Sequence, residues 1–250
     1  MSEVLAAPPP PATEPPRAGM SLPARVWGIL TAPAATFADV AAKPRWLGMM
    51  ALTIVVTCVV TGGFMSTKIG QQAYLDQAVR QAESWSHQPV SDQQYSIYEK
   101  MSKYAGPIFA AQILIMSPLM TLIIAGIFFA IFNAALGGDA SFKQLFSVIV
   151  HASAVTLVQQ VFVTPLNYVR ESMTSATNLA VFLPMLDEGS FAAKLLGAVD
   201  LFAVWWVIVL ATGLGVLYKR KTGPIAIGLF VVYGIIAVIV AAVTSGRTGA

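Results

Sequence analysis

Long uncharged blocks, separated by charged segments, set the organisation of this chain. Leu201–Tyr218 (LFAVWWVIVLATGLGVLY) has no charge, Lys219-Arg220-Lys221 interrupts it, and Thr222–Ser245 is uncharged again. That is the pattern of two membrane spans joined by a tight basic turn, over about 196–218 and 224–244. Trp46–Thr67 is uncharged for 22 residues. At 1.5 Å rise per residue it covers about 33 Å, enough to cross a hydrocarbon core of roughly 30 Å. Tyr104–Gly138 is uncharged for 35 residues, longer than one span needs, and predicts a tilted or projecting span over about 108–136. Pro118 inside it should kink the helix unless a neighbour satisfies the freed carbonyl. A further span is expected over about 144–166. The fold class is therefore an all-α membrane protein with five transmembrane helices in a membrane domain over 46–245.

The segments between the spans carry their own signals. Ser21–Ala42 places Val26, Trp27, Ile29 and Leu30 on one side, breaks at Thr31 and Pro33, and resumes with Phe37, Val40 and Ala41. Thr31 is a candidate cap for the restart, and Arg25 and Asp39 are expected to face away from the apolar side. The segment 21–45 reads as an amphipathic helix that either lies in the membrane interface or packs on the membrane domain's own loops. Lys68–Lys103 carries four cations and four acids. Tyr74, Leu75, Ala78, Val79, Ala82 and Trp85 recur at helical spacing, Pro89 breaks the pattern, and Ser91 with Gln94 forms a capping-box signature. The expectation is a helical hairpin outside the membrane between the first two spans. Ser172–Leu186 is too short in its apolar part to span and is read as a loop or interfacial segment. Residues 1–20 are Pro- and Ala-rich and have neither the charge nor the apolar stretch of a secretory signal, so a disordered tail is expected.

Composition agrees with a membrane protein. Of 250 residues 56% are hydrophobic and only 11% charged, with a mean hydropathy of +0.71, against about 25% charged in a soluble domain. No basic cluster interleaves with aromatics, which argues against nucleic-acid partners. Cys58 is the only cysteine and lies in an apolar run, so neither an intrachain disulfide nor a cysteine-based metal site can form. Charge placement orients the chain. Lys43, Arg45, Lys143 and the Lys219-Arg220-Lys221 turn share one side, and the cations of the other side are diluted among acids. The positive-inside rule then predicts a cytoplasmic N-terminus and an external C-terminus in a cell (inner) membrane. Lys43, Arg45 and Trp46 at the first span, with Lys219, Arg220 and Lys221 at the fourth, are candidate topology anchors and lipid-headgroup contacts.

Candidate chemistry is sparse. His151, Gln159 and Gln160 fall in the third span and Asp200 about one turn into the fourth. Intramembrane ionisable groups are functional candidates because burying one costs about 3 kcal/mol. Each also has a plain role, in interhelical hydrogen bonding or, for Asp200, in reaching the interface. Gly126, Ala130, Ala134 and Gly138 stand four apart and form a small-residue row for helix packing, within the chain or between copies. The two histidines, His87 and His151, are far apart, and no metalloprotease, hydrolase or phosphate-loop signature occurs. No catalytic set, metal or cofactor is expected.

Three stretches carry a family likeness: Arg25–Trp46 (RVWGILTAPAATFADVAAKPRW), Leu136–Gln144 (LGGDASFKQ) and Asp200–Lys221 (DLFAVWWVIVLATGLGVLYKRK). With the Phe202, Trp205 and Gly213 spacing, they resemble the bacterial branch of the YIP family, membrane proteins named for interaction with Ypt/Rab GTPases. The resemblance implies an N-terminal cytoplasmic region, five helices and a short non-cytoplasmic C-terminus. Eukaryotic members carry an Asp-Leu-Tyr-Gly-Pro motif before the first span. Here the chain reads Ala-Lys-Pro-Arg-Trp-Leu-Gly, so Rab binding does not carry over. The functional expectation is a non-enzymatic scaffold in membrane organisation. Its partners would be lipids, other membrane proteins or further copies of itself. The alternative is a small transporter or channel component with a polar path through the third and fourth spans.

Overall fold

The computed structural model describes residues 19–86, 88–187 and 189–245. Most of the proposed tail, His87 and Arg247 lie outside them. Among the described residues the fold is all-helical. In chain order the helices are α1 (Leu22–Thr31), α2 (Pro33–Ala42), α3 (Leu47–Ser66), α4 (Lys68–Ser86), α5 (Asp92–Ser102), α6 (Ala105–Phe129), α7 (Phe142–Ala152), α8 (Ala154–Val169), α9 (Phe191–Ala198), α10 (Leu201–Leu217) and α11 (Thr222–Ser245). Four segments are long and apolar enough to cross a membrane: Leu47–Ser66, Ala105–Ala135, Phe142–Val169 and Thr222–Ser245. The third is α7 and α8 run together across Ser153.

The core forms where α2, α7 and α10 meet. Phe37 and Val40 of α2, Leu145 and Val148 of α7, and Leu210 and Leu214 of α10 are fully buried there. The approach depends on a missing side chain. A Cβ at Gly213 would stand 2.6 Å from Val148 Cγ1 and 2.9 Å from Phe37 Cε1. A second tight seam joins α3 to α6, where a Cβ on Gly106 would lie 2.0 Å from Ser66 Oγ. Small residues permit such backbone approach where lipid supplies no hydrophobic drive between helices.

Several sequence expectations are refined. The N-terminal segment is two helices folded onto α7 and α10, with Ile29, Phe37 and Val40 inside and Trp27 70% exposed. Thr31 does not cap the second helix. Its hydroxyl donates back to the Trp27 carbonyl at 2.9 Å, and Ala32 precedes Pro33 without a side-chain cap. The hairpin of α4 and α5 is present with its capping box at Ser91 and Gln94. Tyr74 ties it to the bundle by an edge-on contact with Phe109 of α6, ring centres 6.0 Å apart. Helix α6 runs unbroken through Pro118 and ends in a π-helical turn, Ala130–Ala135, in which the Leu136 N–H reaches back five residues to the Ile131 carbonyl.

That turn alters the small-residue row. Gly126, Ala130 and Ala134 are exposed, and a Cβ on Gly126 would meet nothing within 4 Å. Ala125 and Phe132 face inward instead. Only Gly138 packs closely, with Tyr218 Cε1 2.6 Å from where its Cβ would be. The expected fourth span over 196–218 is also divided: 196–198 belong to α9, and the apolar helix starts at Leu201.

Candidate functional site

Three charged or titratable side chains from three helices meet beneath α1 and α2. Ser21 starts α1 by accepting the Ala24 N–H, and Pro23 fits the first turn, where its missing N–H costs nothing. One turn on, Arg25 points inward with Gly28 and Ile29, on the i, i+3, i+4 face. Gly28 lets Thr36 of α2 come close, since a Cβ there would stand 2.3 Å from Thr36 Oγ1. The crossing brings Asp39, near the end of α2, against Arg25.

The guanidinium is 2% exposed and nearly saturated. Its Nε donates to Asp39 Oδ2 at 2.9 Å, and its Nη2 lies 2.8 Å from the same oxygen. Nη2 also donates to the Lys43 carbonyl at 2.9 Å. Nη1 lies 3.5 Å from Nε2 of His151, itself 0% exposed. The other ring nitrogen, Nδ1, stands 2.7 Å from the Ser147 carbonyl one turn back. A carbonyl can only accept, so Nδ1 carries the proton, and Nε2 offers its lone pair to Arg25. Asp39 Oδ1 accepts the Met20 N–H at 3.2 Å. The cluster thus binds the chain before α1, both N-terminal helices, the linker to α3 and the end of α7 into one unit. A buried charge is tolerated only when paired and hydrogen-bonded in this way. Each of the three side chains is engaged by polar partners from another element or the preceding turn.

His151 was expected in the third span and lies there. The surprise is Arg25 and Asp39, which the sequence suggested would face away and which the structure buries together. The available signal was one cation on α1 and one acid on α2, on either side of the Thr31-Ala32-Pro33 break.

The remaining polar candidates gather at the opposite end. Gln160 Oε1 accepts from Thr61 of α3 at 3.1 Å and from Thr164 at 3.3 Å. Gln159, Gln160, Thr61, Asn167 and Ser175 line a cavity of about 270 Å³, into which Asn167 brings a buried Oδ1 with no hydrogen-bond partner. Ser175 also donates to Asp200 Oδ2 at 2.5 Å, as does Thr177 at 2.7 Å. Asp200 Oδ1 accepts the Phe202 and Ala203 amides at 2.8 and 3.4 Å. Asp200 is therefore the N-cap of α10, not a residue one turn inside a span. Gln160, Ser175 and Asp200 are neighbours, and His151 is not among them.

The basic anchors lie at the Arg25 end. Lys43 is half-buried and Arg45 exposed. Trp46 meets Phe146 edge-on with ring centres 5.1 Å apart. Lys219, Arg220 and Lys221 are exposed, Lys219 with φ +52°, and Arg220 Nη2 donates to the Leu136 carbonyl at 2.9 Å. This basic turn is thereby fastened to the 136–141 turn, where Tyr218 stacks on Phe132 at 4.7 Å and donates to Asn133 Oδ1 at 2.7 Å.

A family model for the Yip1 domain matches residues 27–244. The chain belongs to the Yip1 family. No curated protein and no solved structure matches it. The matched region of this Yip1-domain protein takes in Asp39, His151 and the whole helical bundle. Arg25 and Met20 fall just before it.

Proposed function

We propose that this Yip1-domain protein is a non-enzymatic scaffold of the cell inner membrane, with five spans, a cytoplasmic N-terminus and an external C-terminus. The carrying observation is the buried Arg25–Asp39–His151 cluster. It seats α1 and α2 as a fixed platform on the bundle, with Trp27 and Arg45 displayed at its surface. Such a platform suits contact with lipid, other membrane proteins or a second copy. In this reading helix α10 is the fourth of the five spans, added to the four longer apolar segments. Its 17 residues reach only about 25 Å, short of a core of roughly 30 Å. It packs against α2, α7, α8 and α11, so protein rather than lipid surrounds much of it. Paired reporter fusions after Lys221 and after Ala250 test the orientation, and an external signal after Lys221 would sink it.

The polar cavity beside Gln160 favours a second reading, passage of a small solute. Sealed proteoliposomes separate the two. The scaffold reading expects proton and anion flux equal to that of protein-free vesicles. Flux abolished by Gln160→Leu or Asp200→Asn at unchanged protein level would make transport the function.

A further inference from the structure

Between α6 and α11 the bundle is not closed. Helix α6 packs on α3 and α7, and α11 packs on α9 and α10, leaving a groove of about 760 Å³ between them. Its walls are apolar, with Ile127 and Ile131 on one side and Leu229 and Val232 on the other. Its only charged lining residues are Arg220 and Lys221, both at the basic-turn end.

We propose that this groove holds an anionic phospholipid, its acyl chain along α6 and α11 and its phosphate on Arg220 and Lys221. Two features build the site. The π-helical turn stacks Phe132 on Tyr218 and puts Ile131, Phe132 and Leu136 in the groove lining. The Leu136 carbonyl then accepts one N–H of Arg220, which holds the guanidinium at the groove end and leaves its other donors for an oxyanion. Among the described residues neither Arg220 nor Lys221 forms an ion pair. The 24-residue helix α11 starts at Thr222, so its first, unpaired amides add positive potential at the same place. An apolar trough ending in two cations matches an amphiphile with a negative head. A zwitterionic lipid places its own cation there and is disfavoured. The site depends only on α6 and α11 lying in a bilayer, and holds for either orientation of the chain.

Native mass spectrometry of the full chain in detergent tests it, with phosphatidylglycerol and phosphatidylcholine of identical acyl chains as probes. The wild type should retain phosphatidylglycerol about thirtyfold better. At the strength usual for basic side chains near an anionic surface, Lys221→Gln should cut this about fivefold, and Arg220→Gln with Lys221→Gln about thirtyfold, to the phosphatidylcholine level. Lys221 makes no contact the fold needs, so the single variant stands in if the double one fails to fold. Gly228 lines the groove and a Cβ there meets nothing within 4 Å. Gly228→Leu should therefore fill the groove and lower retention of both lipids. Equal retention of the two lipids by the wild type overturns the proposal. So does a Gly228→Leu protein that keeps full phosphatidylglycerol binding, which would leave only diffuse attraction to the basic turn.

Discussion

Replacing Asp39 by Asn keeps the shape of the buried cluster and removes its negative charge. Arg25 would then remain 2% exposed beside the Lys43 and Asp39 carbonyls and the His151 lone pair, with no counter-charge. Breaking a buried ion pair from one side costs about 3–5 kcal/mol. The Asp39 side chain retains 20% exposure, so water screens part of the loss and the lower end applies. About 3 kcal/mol corresponds to roughly a hundredfold shift between docked and undocked α1–α2. Hydrogen–deuterium exchange in detergent reads this opening directly. Amides of α1 and α2 in Asp39→Asn should exchange about a hundredfold faster, with α3 and α6 unchanged. Removing both charges, as Arg25→Met with Asp39→Leu, should restore most of the protection, because a neutral, well-packed pair often equals a buried salt bridge. An Asp39→Asn effect below about threefold, or a double variant as open as the two single losses combined, would refute the clamp.

At the α2–α7–α10 seam, Gly213→Val should cost about 1–3 kcal/mol by overpacking, read as a lower melting temperature in detergent, and Gly228→Val, facing open space, should cost far less. Asp200→Ala should cost about 1 kcal/mol through the lost cap, with faster exchange over 175–203 and no change in α1–α2. Tyr218→Phe loses the bond to Asn133 but keeps the stack on Phe132, costing about 1 kcal/mol by thermal unfolding; Tyr218→Ala should cost clearly more.

Local features were legible in the sequence, and features made by distant contacts were not. The spans over 46–67, 108–136, 144–166 and 224–244 follow from length and missing charge, and the structure has helices there. Ser91 with Gln94 forms its capping box because that signature spans only four residues. The Arg25 site needs Asp39 fourteen residues away and His151 a further turn of the topology, 126 residues from Arg25. No local period encodes that meeting. The start of α10 was misplaced for a similar reason. Apolar spacing runs on through Val199, and the break is made by Asn178 pairing across to Asp200. Of the small-residue row only Gly138 packs within the chain, while Gly126, Ala130 and Ala134 face outward, a division that fourfold spacing alone does not encode.

The docked position of α1 and α2 also sets an order of events at the ribosome. Their apolar faces can meet Val148 once α7 is made, but Leu210 and Leu214 only after α10, about 175 residues beyond Ala42. At 5–20 residues per second, Phe37 and Val40 wait roughly 9–35 s for the α10 side of their cover. Until then α7 alone can cover the N-terminal pair, on one side. A chain stopped before Leu201 would leave the α10-facing side of this pair, Phe37 and Val40 included, without its cover.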